Sequence, residues 1–299
     1  MTVRTEIVRP LRPEDADAAA SLLRGLEESV GYRASATTAE VREWWGRADL
    51  ETSSWAYEQE GRLCGFGWVE QRGDAGAYGV QFAPDVWSEE LTRDLIERSE
   101  ARIRELGLQR AQVDALARDV RLRALYEACG YRFARTFHLM SVELLHAPRE
   151  PRAPEGIVLD AFRESDARAV FDTFAEAFAD EWGFSSSPYE EWYERRVANA
   201  DTRFYFVARA GSEIVGALRG QTEWRGGGFV GMLGVRRAWR GRGIGEALLR
   251  HAFKAWYDSG EQRVLLAVDS ENRSGAMRLY ERVGMRVELE NVIYEKELT

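Results

Sequence analysis

The chain has 299 residues, 45% of them apolar and 30% charged, and a formal net charge of −9 at pH 7. This length suffices for two ordinary domains with a core each, and so acidic a chain lacks the electrostatic footprint of a nucleic-acid binder. No stretch approaches the roughly 18 uninterrupted apolar residues of a membrane-spanning helix, so neither nucleic acid nor a membrane is an expected partner.

In chain order, the first half opens with a strand that runs into a helix in VRPLRPEDADAAASLL. An apolar strand after a turn glycine follows in GRLCGFG, and RLRALYEACGYRFARTFHLMSVEL ends the half by alternating into a strand. The next residues, HAPREPRAPEG, hold three prolines and several charges, which is typical of a linker.

The second half repeats this order at an offset near 150 residues. A strand is predicted at Ile157–Phe162, a helix from Asp166 to about Asp180, and a second helix in SPYEEWYERRVAN. Strands in RFYFVARA, SEIVGALRGQTE and GGFVGMLGV come next, followed by a helix in IGEALLRHAFKAWYDSG and a buried strand in RVLLAVD. A short helix capped by Asn272 and a strand ending near Leu298 complete the half.

The two halves correspond residue by residue at several points. RLRALYEACG matches SGAMRLYERVG, so that Tyr126 occupies the place of Tyr280. A repeat of this length is far longer than a solenoid unit and predicts two copies of one domain. We place the boundary near Pro151, which gives domains 1–150 and 151–299.

The expectations for cellular location and metal binding come from sequence signals that are absent. The N-terminal stretch has no apolar segment of the secretory type, and the two cysteines, far apart in sequence, are expected as thiols. A cytoplasmic location is therefore expected. The three histidines lack the spacing of metal ligands, so no metal is predicted.

One motif stands out, RRAWRGRGIGEALLRHAF from Arg236 to Phe253, where glycines and arginines precede a helical pattern. Main-chain N–H groups at a helix start have no intrahelical partners and, with the helix dipole, attract anions. Glycines let the backbone approach a phosphate closely, and Arg240 and Arg242 can add charge-assisted hydrogen bonds. The alternative interpretation is a flexible, solvated turn.

Arg240-x-x-Gly243-x-Gly245 resembles the Q/R-x-x-G-x-G/A loop of the GCN5-related N-acetyltransferase (GNAT) family. The preceding LGV and the downstream DSENRSGAMRLYERVGM resemble that family's neighbouring segments in order and spacing. The resemblance is strong over 156–299 and degenerate over 1–150, so the chain resembles a tandem member, similar to the mycothiol synthase-like acetyltransferases. It implies an α/β fold with a mixed sheet: two tandem domains, each a mostly antiparallel sheet flanked by helices.

The resemblance also implies a site and a co-substrate, acetyl-CoA. Its pyrophosphate would lie on the loop formed by Arg240, Gly241, Arg242, Gly243, Ile244 and Gly245. Its pantetheine arm would pair with Leu233, Gly234 and Val235, and an N–H near Leu233 would polarise the thioester carbonyl. Tyr280 matches the tyrosine that protonates the departing sulfur, and Asn272 matches a position beside the CoA arm. Tyr280 as a core aromatic and Asn272 as a helix cap are the structural alternatives.

The first copy has VQFAPDVWSEELTRDLI, Val80 to Ile96, where the second has the loop. This stretch has no glycine and places Glu89 and Glu90 where phosphates would sit, and these carboxylates would repel a pyrophosphate. We therefore predict a degenerate domain at 1–150 without the pyrophosphate loop, and a single acetyl-CoA site in 151–299.

The general base and the acceptor pocket are less defined by the sequence. Glu223, near the end of the strand before GGFVGMLGV, is the candidate base, with Asp180 and Glu181 as further candidates and a solvated charge as the alternative. Many family members carry an acid on the strand that is GGFVGMLGV here, and this strand has none. Aromatic residues predict either a pocket for a small cationic amine, with acids at its mouth, or core packing: Trp182, Phe184, Tyr189, Trp192, Tyr193 and Trp224.

Together these features predict an acetyl-CoA-dependent N-acetyltransferase. It would move an acetyl group directly to a primary amine of a small molecule in the C-terminal domain, as a monomer or homodimer. The alternatives are a non-catalytic sensor of acyl-CoA or a metabolite, and a protein N-acetyltransferase.

Overall fold

The computed structural model describes residues 7–184, 186–272 and 274–298. Its strands are β1 Ile7–Arg9, β2 Ser54–Gln59, β3 Arg62–Arg72, β4 Ala75–Phe82, β5 Arg110–Leu116, β6 Arg132–Glu143, β7 Ile157–Ala161, β8 Tyr205–Ala210, β9 Glu213–Trp224, β10 Gly227–Val235, β11 Arg263–Asp269 and β12 Arg286–Glu297. Its helices are α1 Ala16–Ser29, α2 Thr38–Trp45, α3 Glu89–Glu105, α4 Val120–Ala128, α5 Ala167–Phe178, α6 Tyr189–Tyr193, α7 Ile244–Asp258 and α8 Ala276–Arg282.

The chain divides into two compact units that are not contiguous in sequence. Unit 1 comprises the described residues up to His138, residues 269–271 and those from Glu288 onward, and unit 2 comprises 139–268 and the described residues of 272–287. The alternating apolar pattern of the last strand predicts a strand but does not specify which sheet it joins, so this division is not visible in the sequence.

Unit 1 is a sheet in the order β1-β2-β3-β4-β5-β12. Its neighbours run antiparallel except for the parallel pair β4–β5. The chain's last strand is part of this unit, because Val292 pairs with Ala115 and Tyr294 with Val113 of β5.

Unit 2 is a sheet in the order β6-β11-β10-β9-β8-β7, to which β6 contributes its second part. Pairs β7–β8, β8–β9 and β9–β10 are antiparallel, and β10–β11 is parallel. Side chains alternate between the two faces of the sheet. Val207 and Ala217 pack on α5, whereas Phe206 and Leu218 pack on the cluster that includes α7. The predicted fold, a mostly antiparallel sheet flanked by helices, is confirmed.

Candidate active site

The connection from β10 to α7 ends in an open helix N-terminus. Gly241 and Gly243 have φ of +76° and +83°, a left-handed conformation that favours glycine. Gly243 is the N-cap residue and brings no side chain to accept a hydrogen bond; the first bond of the helix is Ala247 N to Gly243 O, at 3.0 Å. The main-chain N–H groups of residues 241–246 donate to no acceptor in the described chain. Several N–H groups are therefore available to an anion at the positive end of a helix dipole.

The two loop arginines brace this connection. Arg240 donates from Nε to the carbonyl of Val235 at 3.2 Å and from Nη2 to that of Ala177 at 2.9 Å. Arg242 donates to the carbonyl of Ala238 at 3.2 Å and lies over the Trp239 ring, 4.7 Å from its centre. Both guanidinium groups are thus partly engaged with the loop itself, so the anion-binding capacity lies mainly in the main chain.

The last residues of β10 have a free edge. The strand pairs with β11 from Gly228 to Val230 and with β9 as far as Val235. The pairing with β9 is bulged at Gly231, directly after the stretch that pairs with β11, and bulges are frequent beside active sites. Leu233 to Val235 therefore expose one edge to which an extended ligand can add as a strand.

Gly234 in this segment has a packing role. A Cβ atom at this position would lie 3.0 Å from Cβ of Ala177 and 3.1 Å from Cδ1 of Phe174. The glycine thus lets α5 approach β10 closely. Its neighbour Leu233 packs on the opposite face with the α7 cluster.

Glu181 comes together with Tyr280 and Asn272 although it is distant from both in sequence. Tyr280 on α8 is 9% exposed, and burial, followed by the negative charge of Glu181, raises the pKa of its hydroxyl to about 12. Asn272 donates from Nδ2 to Oε2 of Glu181 at 2.9 Å. The described chain holds no hydrogen-bond partner for the Tyr280 hydroxyl, which leaves it able to donate to a ligand.

The expected capping role of Asn272 is wrong. Helix α8 begins at Ala276, with Gly275 at φ +81° as its N-cap. Asn272 instead accepts the main-chain N–H of Ser274 at 2.7 Å while it holds Glu181. Its side chain therefore orders the turn before α8 and orients a carboxylate.

The structure does not bring Glu223 into this cluster. Glu223 is exposed near the end of β9, beside the turn into β10, with φ +60°. Strand β10 begins after this turn at Gly227, and six residues at about 3.3 Å each separate Gly227 from Leu233, roughly 20 Å. Glu223 acts instead on Glu261, whose pKa is raised first by burial and then by the charge of Glu223. Asp180 is exposed and pairs with Arg237 at 2.5 Å.

A pocket of about 170 Å³ lies on the α5 face of the unit 2 sheet. Its lining is aromatic and basic: Phe171, Phe174, Ala175, Phe184, Ser186, Ser187, Trp192, Arg195, Arg196, Arg219 and Met232. Of the predicted aromatic residues, Phe184 and Trp192 line it. Trp224 packs against Phe229 with ring centres 3.9 Å apart and ring planes tilted by 33°, and Tyr193 donates a hydrogen bond to Glu164. The expected acids do not line this pocket; arginines do.

Arg219 and Met232 are not among the site residues predicted from the sequence. The one available signal was a charged residue inside the otherwise apolar run EIVGAL-R-G of β9. Within the described residues, no group of three or more His, Cys, Asp or Glu side chains is arranged to hold a metal ion. Across those same residues, no helix combines the length and apolarity needed to cross a bilayer.

Comparison with known proteins gives the family. The model of the acetyltransferase (GNAT) family matches residues 20–131 and 167–285. The chain therefore belongs to the GNAT family of acetyltransferases, with one match in each half, and the predicted assignment to a tandem member is confirmed.

Individual relatives agree with this assignment. A mycothiol acetyltransferase of Streptomyces avermitilis is 28% identical over 151 residues, 50% of this chain and 49% of that protein. N-alpha-acetyltransferase 30 of Schizosaccharomyces pombe is 28% identical over 103 residues, 33% of this chain and 68% of that protein. The chain spans about half the length, or less, of the mycothiol acetyltransferases that it matches.

Solved structures match the whole chain. A GCN5-related N-acetyltransferase from Sphaerobacter thermophilus is 31% identical with a TM-score of 0.87, over 99% of this chain and 96% of that chain. A tandem GNAT protein from the clavulanic acid biosynthesis pathway shares the fold, with a TM-score of 0.73 at 16% identity over 98% of both chains.

Proposed function

We propose that the chain transfers the acetyl group of acetyl-CoA directly to a primary amine of a small molecule, and that unit 2 carries the reaction. The observation that supports this most is the continuity of the site. The open N–H groups of residues 241–246 follow the free edge of Leu233 to Val235 along the chain, after the short connection 236–240. A pyrophosphate fits the former and the extended pantetheine arm fits the latter. Unit 1 serves as the degenerate copy.

The strand edge also suits activation of the thioester. A main-chain N–H near Leu233 would donate to the carbonyl oxygen and stabilise the charge that develops there during attack. The strand pairing supports this role: just before these residues, the pairing of β10 with β11 stops at Val230 and β10 bulges against β9 at Gly231.

Proton transfer falls to Glu181 and Tyr280. The neutral amine nitrogen attacks the thioester carbon, the new C–N bond forms, and the C–S bond breaks with its electron pair on sulfur. Glu181 accepts the amine proton directly or through water, and Tyr280 donates to the leaving sulfur. A hydroxyl with a pKa of about 12 is protonated at neutral pH, as a donor must be.

The two groups are coupled electrostatically. The charge of Glu181 raises the pKa of Tyr280, so protonation of Glu181 by the amine makes Tyr280 a better donor. We therefore assign the base to Glu181 in preference to Glu223, on the grounds of its position beside Tyr280.

Turnover is the test of this proposal. The full chain, acetyl-CoA and a panel of primary amines are mixed, and release of the free CoA thiol is followed. We expect the Tyr280→Phe variant to lower kcat about 100-fold or more, the usual contribution of a positioned acid. Tyr126→Phe removes the matching hydroxyl of the first copy and is expected to keep kcat within about twofold.

Two outcomes would count against the proposal. An unchanged kcat in Tyr280→Phe would remove Tyr280 from the acid role. Tight binding of acetyl-CoA without turnover of any amine would favour the sensor alternative.

A further inference from the structure

Arg219 is a buried arginine in the central strand β9 of unit 2. The residue is 9% exposed, and its Nε atom is buried without a hydrogen-bond partner. No ion pair or hydrogen bond joins its guanidinium to any residue in the described chain. Burial of an uncompensated charge is costly. The Arg219 guanidinium therefore needs a counter-anion, and the described chain does not supply one.

A half-buried arginine of the same unit shows the structural alternative. Arg209 on β8 contacts two carboxylates, Asp160 at 3.1 Å and Asp166 at 2.6 Å. These acids neutralise it in place. Among the described residues Arg219 has no such partners, although it lies on the adjacent strand.

The fold makes room for the Arg219 side chain. A Cβ atom at Gly231 would lie 2.5 Å from Nη2 of Arg219. Gly231 is also the bulge residue of β10, since Val230 pairs with Gly220 and Met232 with Arg219. The bulge and the missing side chain thus open the space that the guanidinium occupies.

Arg219 lines the aromatic pocket of about 170 Å³, together with Arg195 and Arg196. This volume far exceeds the roughly 10–15 Å³ that a single water needs. Met232 also lines the pocket and directly precedes Leu233, the residue whose N–H would face the thioester. An acceptor held here would therefore lie next to the reacting carbonyl.

We propose that Arg219 binds an anionic group of the acceptor, a carboxylate or a phosphate, so that the acceptor is an amine with an acidic group and an apolar or aromatic body. A guanidinium presents a planar fork that matches both anions. The aromatic rings Phe171, Phe174 and Trp192 would contact the apolar body. The role of this anion site in catalysis rests on the proposed acetyl transfer; the anion binding itself does not.

The kinetic test compares acceptors that differ by one charge. Phenylalanine is paired with phenethylamine, and phosphoethanolamine with ethanolamine. In the wild-type chain we expect kcat/KM to be at least tenfold higher for the acidic member of one pair than for its partner without the acidic group. The pair that shows this preference identifies the bound group as carboxylate or phosphate. In Arg219→Gln we expect the ratio to fall to about one, and in Arg219→Lys to an intermediate value, because lysine keeps the charge without the fork.

A control variant separates charge at this site from charge in general. Arg203 is exposed and pairs with Asp201 outside the pocket, so Arg203→Gln should keep the wild-type ratio. Thermal melting of each variant verifies its fold. A wild-type ratio near one, or an equal loss on both members of a pair in Arg219→Gln, would overturn the inference.

A binding experiment keeps this inference distinct from the proposed reaction. Phenylacetate and inorganic phosphate are titrated into the full chain and followed calorimetrically, with a tenfold or larger loss of affinity expected in Arg219→Gln. Binding that depends on Arg219 without turnover of any amine would support the anion site and refute the transfer. Turnover without such binding or preference would support the transfer and refute the anion site.

Discussion

The two copies differ most clearly where a strand leads into a helix. In unit 1, β4 ends at Phe82 and α3 is capped by Ser88, whose Oγ accepts the N–H of Leu91 at 3.2 Å. In unit 2 the same place holds Gly243, with φ +83° and no capping side chain. One helix start is closed by its own serine, whereas the other is open to a ligand.

A second difference lies on the neighbouring strands. In unit 1, Trp68 of β3 covers Gly79 of β4, where a Cβ atom would lie 2.4 Å from the indole ring. Trp68 stacks on Trp44 at 5.7 Å and joins the core. In unit 2, Arg219 covers Gly231 in the same manner and lines a pocket. The two units share the same scaffold. In the first copy, core side chains occupy the positions that remain open to a ligand in the second.

The matching tyrosines repeat this contrast. Tyr126 is completely buried, its hydroxyl lies 3.4 Å from the carbonyl of Asp114, and its ring packs on Tyr131 and Tyr294. Tyr280 lies beside Glu181 instead. A tyrosine at this position therefore serves packing in one copy, while its environment in the other suits proton donation.

The largest effect is expected from closing the open helix. In Gly243→Asp a carboxylate would occupy the N-cap, accept the free N–H groups and repel the pyrophosphate. Aspartate tolerates a positive φ better than most residues. We expect the dissociation constant of CoA, measured by calorimetry, to rise at least 100-fold, about 2.7 kcal/mol.

The stoichiometry of the same titration tests the comparison directly. The wild-type chain should bind one equivalent of CoA, because the first copy has the Ser88 cap, the acidic first turn of Glu89 and Glu90, and no glycine loop. Two equivalents, or unchanged affinity in Gly243→Asp, would contradict the contrast between the two helix starts.

A smaller effect is expected at the proposed base. Glu181→Gln keeps an acceptor for Asn272 but cannot take a proton, so kcat at pH 7 should fall about 10- to 100-fold. The loss should shrink at higher pH, where more of the amine is already neutral. Asp180→Asn, next to it and paired with Arg237 on the surface, is the matched control and should keep kcat within about threefold of wild type. An equal loss in both variants would assign the effect to loop structure.

The loop and the tyrosine were accessible from the sequence because their chemistry is local. Glycines before an amphipathic helix predict an open N-terminus wherever they occur, and the family resemblance supplied Tyr280. Glu181 was only one of several acids in the sequence, since its partner Asn272 lies 91 residues away. Glu223 was the preferred base because it lies close in sequence to β10, but the length of an extended strand separates it from the site.

Other features depend on which groups meet in space. The pattern of β12 marks a strand but not its partner, so its pairing with β5 could not be predicted. Arg219 could be seen as a charge in an apolar strand, but the sequence does not show that it lacks a counter-ion. Arg209 has the same appearance in the sequence and is neutralised by two acids.

The tyrosines should behave alike in stability while they differ in catalysis. Burial raises the pKa of Tyr280 to about 12 and that of Tyr126 well above its usual value. Each hydroxyl therefore ionises later in the folded chain, and its contribution to stability is complete below about pH 10 and decreases as the pH rises toward 12. For Tyr280 the loss is roughly 2 kcal/mol.

Urea unfolding between about pH 9 and pH 12 measures this loss. Tyr280→Phe and Tyr126→Phe should each flatten the alkaline decline relative to wild type. If Tyr126→Phe alone flattened it, Tyr280 would be more solvated than its burial indicates, and its role as a protonated donor would be weakened.

The smallest effect is expected at the cap of the first copy. In Ser88→Ala the N–H of Leu91 loses its side-chain acceptor, which should lower the free energy of unfolding by about 1 kcal/mol. Urea unfolding at pH 7 measures this change, and calorimetry should give wild-type affinity and stoichiometry for CoA. Removal of the cap leaves the acidic first turn, Glu89 and Glu90, in place. A second equivalent of CoA in Ser88→Ala would mean that the serine alone keeps CoA from the helix start of the first copy. An unchanged single equivalent would mean that the two carboxylates and the missing glycines also exclude it.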